Sequence, residues 1–206
     1  MAVLQPGCNR SGCRLDCMDL DRPSHPQSFS LDYRAIADPA RLDVVASTGL
    51  LGTVGEAALD EIVQGMTREG IAPICAIIIV DAYRMVFTSS VGLPEPWRTL
   101  HEAPLARSRS LLVVASGQPV IIDGARDSPR DVAPMAMVDR GISAWLGMPL
   151  LGTGYQVVGV LALMDERPRC WLPSARRLAD IGAARANVAI QQRIARRRAA
   201  QSRPAE

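Results

Sequence analysis

Ile74-Cys75-Ala76-Ile77-Ile78-Ile79-Val80, followed at once by Asp81-Ala82 and then Tyr83-Arg84-Met85-Val86-Phe87-Thr88-Ser89, is the stretch that decides the fold. Its first seven residues are mostly β-branched. The run is too short for a typical buried helix and long enough for a strand covered on both faces. Asp81-Ala82 fits a tight turn, so Tyr83 to Ser89 returns as an antiparallel hairpin partner.

Working back toward the N-terminus, a helix is expected over about Glu56 to Glu69, where Leu59, Ile62, Val63 and Met66 recur at helical spacing and Gly70 stops the chain. Asp38 before Pro39 is an N-cap with proline at the first helical position, opening a shorter helix that stops before Gly49. Residues 1–36 are rich in Cys, Pro and Ser without a sustained period and read as a poorly ordered extension. Working forward, Gly92 to Trp97 holds two prolines and reads as loop. A helix is expected from Pro104 to Ser116, with Leu105, Ser108, Leu112 and Ala115 on one face and Arg109 at its border. Beyond it come a short strand at Pro119 to Asp123 and a short helix near Ala133 to Arg140. Two strands, about Ile142 to Leu150 and Tyr155 to Met164, flank Gly152-Thr153-Gly154, and a last helix opens at Ser174. Hairpins dominate and regular βαβ alternation is missing. The expected class is therefore α+β, a central antiparallel sheet of about five to six strands with helices packed on one side, and not a doubly wound nucleotide fold.

Composition removes several functions. The chain has 206 residues, 48% hydrophobic and 21% charged, which suits one globular domain with extensions. All 23 basic residues are arginine against 21 acids, so no nucleic-acid-like field follows, and chemistry needing a lysine is excluded. Neither a G-x-S-x-G nor an H-E-x-x-H motif is present, and two histidines assemble no triad. No secretory or membrane-spanning stretch is evident, so a cytoplasmic protein with mainly free thiols is expected. Cys8, Cys13 and Cys17, followed by His25, could supply four soft ligands or a redox-responsive tail, although the C-x4-C-x3-C spacing lacks the usual zinc knuckle; a segment without a site is the plain alternative. Cys75 reads as a small core residue.

Several separated segments resemble one family. Asp38-Pro39-Ala40-Arg41-Leu42 leading to Thr48-Gly49-Leu50-Leu51, Val91-Gly92-Leu93-Pro94-Glu95-Pro96-Trp97, Val113 to Val120 with Asp123-Gly124-Ala125-Arg126, and Gly159-Val160-Leu161 with Asp165 to Arg169 and Trp171 are similar to bacterial GAF sensor domains, in that family's order and spacing. The subtype is the one attached to histidine kinases, diguanylate cyclases and PP2C-type phosphatases. The resemblance implies a GAF domain over 37–195 and a pocket on one sheet face, roofed by short helices and loops. It further implies a pocket wall drawn from Phe87, Trp97, Ser108, Arg109, Asp123 and Trp145. Arg109 could hold an anion there and Trp145 could stack on a planar ring; packing residues and a solvated arginine are the alternative reading.

Departures from the family narrow the ligand. Relatives carry His, Phe and Cys where this chain has Arg107, Arg109 and Ser110, which disfavours a thiol-linked bilin. The cyclic-nucleotide signature needs a lysine. Haem relatives use a pocket histidine, whereas this domain offers only His101, in a loop. The cofactor stays unassigned.

Three functions are therefore carried forward. The first is a non-catalytic sensor that binds a small molecule or partner protein and signals in trans, to a kinase, phosphatase or cyclase, through its terminal helices. The second is a cysteine-based redox enzyme or sensor using Cys8, Cys13, Cys17 or Cys170, and the third a degenerate pocket serving only interaction or dimerisation. Residues 174–206 hold eight arginines and two acids, and 196–206 read as a basic tail. On the last helix Leu178, Ile181 and Val188 lie on one face and Ile190 and Ile194 nearly opposite. That switch implies a first half packed on its own domain and a second half meeting a partner, a homodimer rather than nucleic acid or a membrane.

Overall fold

The computed structural model describes residues 33–105, 108–123 and 141–202. Cys8, Cys13, Cys17, His25 and the helix expected near 133–140 lie outside them, as do Arg107 and residues 203–206. The elements in chain order are α1 (Tyr33–Ile36), α2 (Pro39–Thr48), α3 (Ala57–Arg68), β1 (Ile74–Val80), β2 (Arg84–Val91), α4 (Trp97–Leu100), β3 (Glu102–Pro104), α5 (Ser110–Ser116), β4 (Val120–Ile122), β5 (Ala144–Leu151), β6 (Val157–Asp165) and α6 (Pro173–Gln201). All six strands form one antiparallel sheet in the order β3-β2-β1-β6-β5-β4, with a register shift at Ile77/Ile78 in the β1–β2 hairpin. The class is α+β.

Every residue of the β-branched run is buried, because β1 sits mid-sheet with its two faces in separate cores. Cys75, Ile77 and Ile79 point to one face, where Leu161 and Leu163 of β6 and Leu146 of β5 join Val45 of α2, the α3 stripe Leu59, Ile62, Val63 and Met66, and the inner side of α6. Ile74, Ala76, Ile78 and Val80 point to the other. There Phe87, Trp97, Trp145 and Val160 meet α1 and the Leu111 to Val114 stretch of α5. The long helices thus cover one face and the short ones roof the second. Asp38 caps α2 as its sequence requires, accepting from Ala40 N at 3.1 Å, and Gly49 closes that helix at φ 65°.

Several expectations change. The helix expected from Pro104 to Ser116 begins only at Ser110; Glu102–Pro104 instead pairs with β2 as the edge strand, where a residue without an N–H is tolerated. Leu105 and Ser108 mimic a helical period but are buried in the connection. Trp97 starts a four-residue helix rather than ending a loop, and the N-terminal extension has become helical by Tyr33.

In α6 the inward stripe is Ala179, Gly182, Ala183, Ala186, Ile190 and Ile194, so the second half packs on its own domain while Ile181 and Val188 remain exposed. Small residues set the approach: a Cβ on Gly182 would lie 2.1 Å from Met66 Cε. Arg193 then clips the far half of α6 to the end of α2, donating to Thr48 O at 2.9 Å and pairing with Glu56. Arg197 lies over Gly49 beside it. Cations at a helix C-terminus are favoured by its exposed carbonyls, so these basic residues serve the domain itself.

Candidate functional site

Two arginines among the described residues are fully buried, and they are treated differently. Arg41, 2% exposed, comes from the first turn of α2, where the Asp38 cap and Pro39 fix the direction of the chain. Its guanidinium donates to Ile36 O at 3.1 and 2.6 Å, to Val80 O at 2.9 Å and to Val157 O at 3.2 Å. It thereby ties the end of α1 to the adjoining ends of β1 and β6. Burial lowers its pKa, and Asp81 and Asp38 act against that shift.

Arg109 is 0% exposed and immediately precedes α5, the short helix packed across β5 and β6. None of its Nε, Nη1 and Nη2 atoms has a hydrogen-bond partner. Burial alone pulls its pKa down to about 10, so the group still carries its charge at neutral pH. An uncompensated buried charge costs about 3–5 kcal/mol in comparable sites, which makes Arg109 the least satisfied group described here.

The surroundings of Arg109 follow from local sequence. Ser108 closes a turn just before the short helix: its Oγ accepts from Ser110 N at 3.1 Å and donates to Met85 Sδ at 3.2 Å. Its hydroxyl is thereby committed, whereas that of the buried Ser110 is not. Trp145 on β5 is 0% exposed, and its indole lies flat over Gly147, where an added Cβ would stand 2.0 Å from the ring. Its Nε1 donor is also unpartnered. Phe87 and Trp97 pack in the same core with ring centroids 6.2 Å apart.

Of the six residues expected on the pocket wall, Phe87, Trp97 and Trp145 share one core, and Ser108 and Arg109 are buried where α5 begins above it. Asp123 is occupied otherwise. Its Oδ1 accepts from Trp171 N at 3.2 Å and its carbonyl from Arg169 N at 2.8 Å, fastening the end of β4 to the segment before α6. Trp171 completes that fastening, donating from Nε1 to Ile122 O at 3.2 Å beneath Arg169. Arg41 and Trp171 bear hydrogen-bonding roles that the sequence does not single out. The placement of Arg41 in the capped first turn of α2 is the one sequence signal for it.

A separate cleft of about 590 Å³ opens at the far end of the sheet between Thr67, Gly70, Gly92, Asp165 and Glu166. Two charged residues of its lining pair with each other, Arg169 with Asp165 at 3.4 Å. Among the described residues no cluster of metal-ligating side chains is found. Cys75 is buried and its thiol is pushed up to about 12 by desolvation, which keeps it protonated and unreactive. Cys170, expected as a free thiol, is disulfide-bonded.

With this geometry in view, comparison with known proteins places the chain. The family model of the GAF domain matches residues 55–190, well over half of the sequence. The chain belongs to the GAF domain family. Among solved structures, the GAF domain of an Acinetobacter phosphoenolpyruvate-protein phosphotransferase is similar at 18% identity and a TM-score of 0.53, over 80% of this chain and 98% of that one. A domain ascribed to a two-component sensor histidine kinase protein from Sinorhizobium meliloti matches at 19% identity and 0.53, over 70% and 95%. Free methionine-R-sulfoxide reductase from Neisseria meningitidis, solved with its substrate, matches at 18% and 0.53, over 82% and 91%. At such identities the likeness establishes the GAF fold alone. Among curated proteins no sequence matches. No helix among the described residues of this GAF domain is long and apolar enough to cross a membrane.

Proposed function

We propose that this GAF domain is a non-catalytic sensor that takes a small molecule on the sheet face roofed by α1 and α5, within the group Phe87, Trp97, Arg109 and Trp145. The observation that supports this reading is hydrogen-bonding capacity left unmet on this side of the sheet: Arg109 and Ser110 at the start of α5 carry buried polar atoms without partners, and so, on β5, does Trp145. Buried polar groups in a finished core are almost always satisfied, so an unsatisfied set marks a place where something else belongs.

The opposite face would carry the response. α6 runs along β5, is joined to it by Leu151 N donating to Asn187 Oδ1 at 2.8 Å, and is clipped to α2 by Arg193. A shift of β5 under a ligand would therefore move both long helices together. The outward positions Ile181 and Val188, exposed by 52% and 55%, are the ones a second copy would cover. Native mass spectrometry of the protein as purified tests the reading. A co-purifying small molecule, lost on substituting Trp145 or Arg109, supports sensing; a bare protein with no thermal response to any metabolite screened supports the interaction module instead.

A further inference from the structure

Charge and donor count on the roofed face go further than "small molecule", and the step rests on the sensor reading above. Arg109 offers up to five N–H donors and cannot accept a hydrogen bond. Ser110 Oγ can donate as well. Both are buried and unpartnered, and among the described residues no carboxylate pairs with Arg109. Arg41 is the contrast. There the chain supplies the backbone carbonyls of Ile36, Val80 and Val157 to the guanidinium. At Arg109 the described residues supply none.

We infer that Arg109 is an anion-binding residue and that the ligand of this domain presents a small oxyanion, a carboxylate or an inorganic oxoanion, to its guanidinium. The planar fork of arginine matches two oxygens of such a group at once. A carboxylate or nitrate-like ion returns a negative charge and several acceptors, which is what the buried guanidinium lacks. A neutral ligand would satisfy some donors and leave the charge uncompensated.

The test is thermal unfolding of the full chain in sodium chloride, sodium acetate, disodium succinate and sodium nitrate at matched ionic strength, beside Arg109→Met and Arg109→Lys. Wild type gains about 3 °C or more over chloride in at least one of the three probes, the size expected when a ligand saturates the folded state alone. Acetate or succinate responding points to an organic acid, nitrate to an inorganic ion. R109M melts above wild type in chloride and no longer responds to the probe, while R109K keeps the charge and responds less. If no probe shifts wild type and R109M melts lower, the chain itself satisfies Arg109 and the anion inference fails. If in that case native mass spectrometry still finds a neutral or cationic molecule bound, the sensor reading survives without it; if it finds nothing, both fail.

Discussion

Arg41 and Arg109 are the same side chain, equally buried, in two regions of one domain. One lies at a junction where three chain segments turn carbonyls inward; the other lies at the start of a seven-residue helix with nothing to donate to. Burial alone therefore says little about what an arginine is for. Its partners say more: a satisfied guanidinium is part of the scaffold, and an unsatisfied one lowers the stability of the fold. Functional sites are where such unmet costs collect.

The sharpest way to break this comparison is to remove both charges. Arg41→Met strands the carbonyls of Ile36, Val80 and Val157 inside the protein, and the melting temperature should fall by an amount corresponding to about 3–5 kcal/mol. Arg109→Met, measured without added oxyanion, should raise stability by about 1–3 kcal/mol, because a flexible apolar side chain replaces an uncompensated charge. Opposite signs uphold the contrast; two losses of equal size would erase it.

A smaller effect is expected from Gly147→Ala. The new methyl collides with the Trp145 ring, so the indole must tilt; a loss of about 1–2 kcal/mol and an altered near-ultraviolet circular dichroism spectrum are expected. An unchanged spectrum would mean that the indole does not lie against β5 as described.

The smallest effect is pH dependence. Arg109 has its pKa lowered in the folded state to about 10, so from there up to the ordinary arginine range the unfolded chain holds more protons and stability rises with pH. Cys75 runs the other way: its folded pKa of about 12 lies above the ordinary 9.0, so it costs stability as pH rises through that range. The cysteine is common to wild type and R109M and cancels in their difference. Urea unfolding should accordingly show R109M's advantage narrowing between pH 8 and pH 11, and a constant gap would contradict the burial of Arg109's charge.

Local periodicity made much of the fold legible. The Leu59, Ile62, Val63 and Met66 stripe, the Asp38-Pro39 start and the β-branched run of β1 each state their element within a few residues, and each stands where the sequence puts it. The reading of α6 went wrong because isoleucine and leucine were counted and alanine was not. The inward side is mainly alanine and glycine, chosen for close approach to α3 and the sheet, and Ile190 and Ile194 continue that side. The connection before α5 misled for a related reason, since Leu105, Ser108 and Leu112 repeat at helical spacing without being in one helix.

At the candidate site the residue types were readable and their state was not. Nothing in the letters around Arg41 and Arg109 distinguishes a guanidinium ringed by carbonyls from one with none, because those carbonyls come from residues 5, 39 and 116 positions away. Asp123 illustrates the same limit, its carboxylate being taken up by Trp171, 48 positions further on.

The central claim, that Arg109 waits inside the fold for an oxyanion, is most directly tested by nuclear magnetic resonance of the arginine side chains. The Nε–H signal missing from R109M identifies Arg109. The account predicts that this signal moves downfield and becomes protected from exchange with water as the stabilising oxyanion is added, and is indifferent to chloride. A signal already protected in chloride and unmoved by acetate, succinate or nitrate would contradict it.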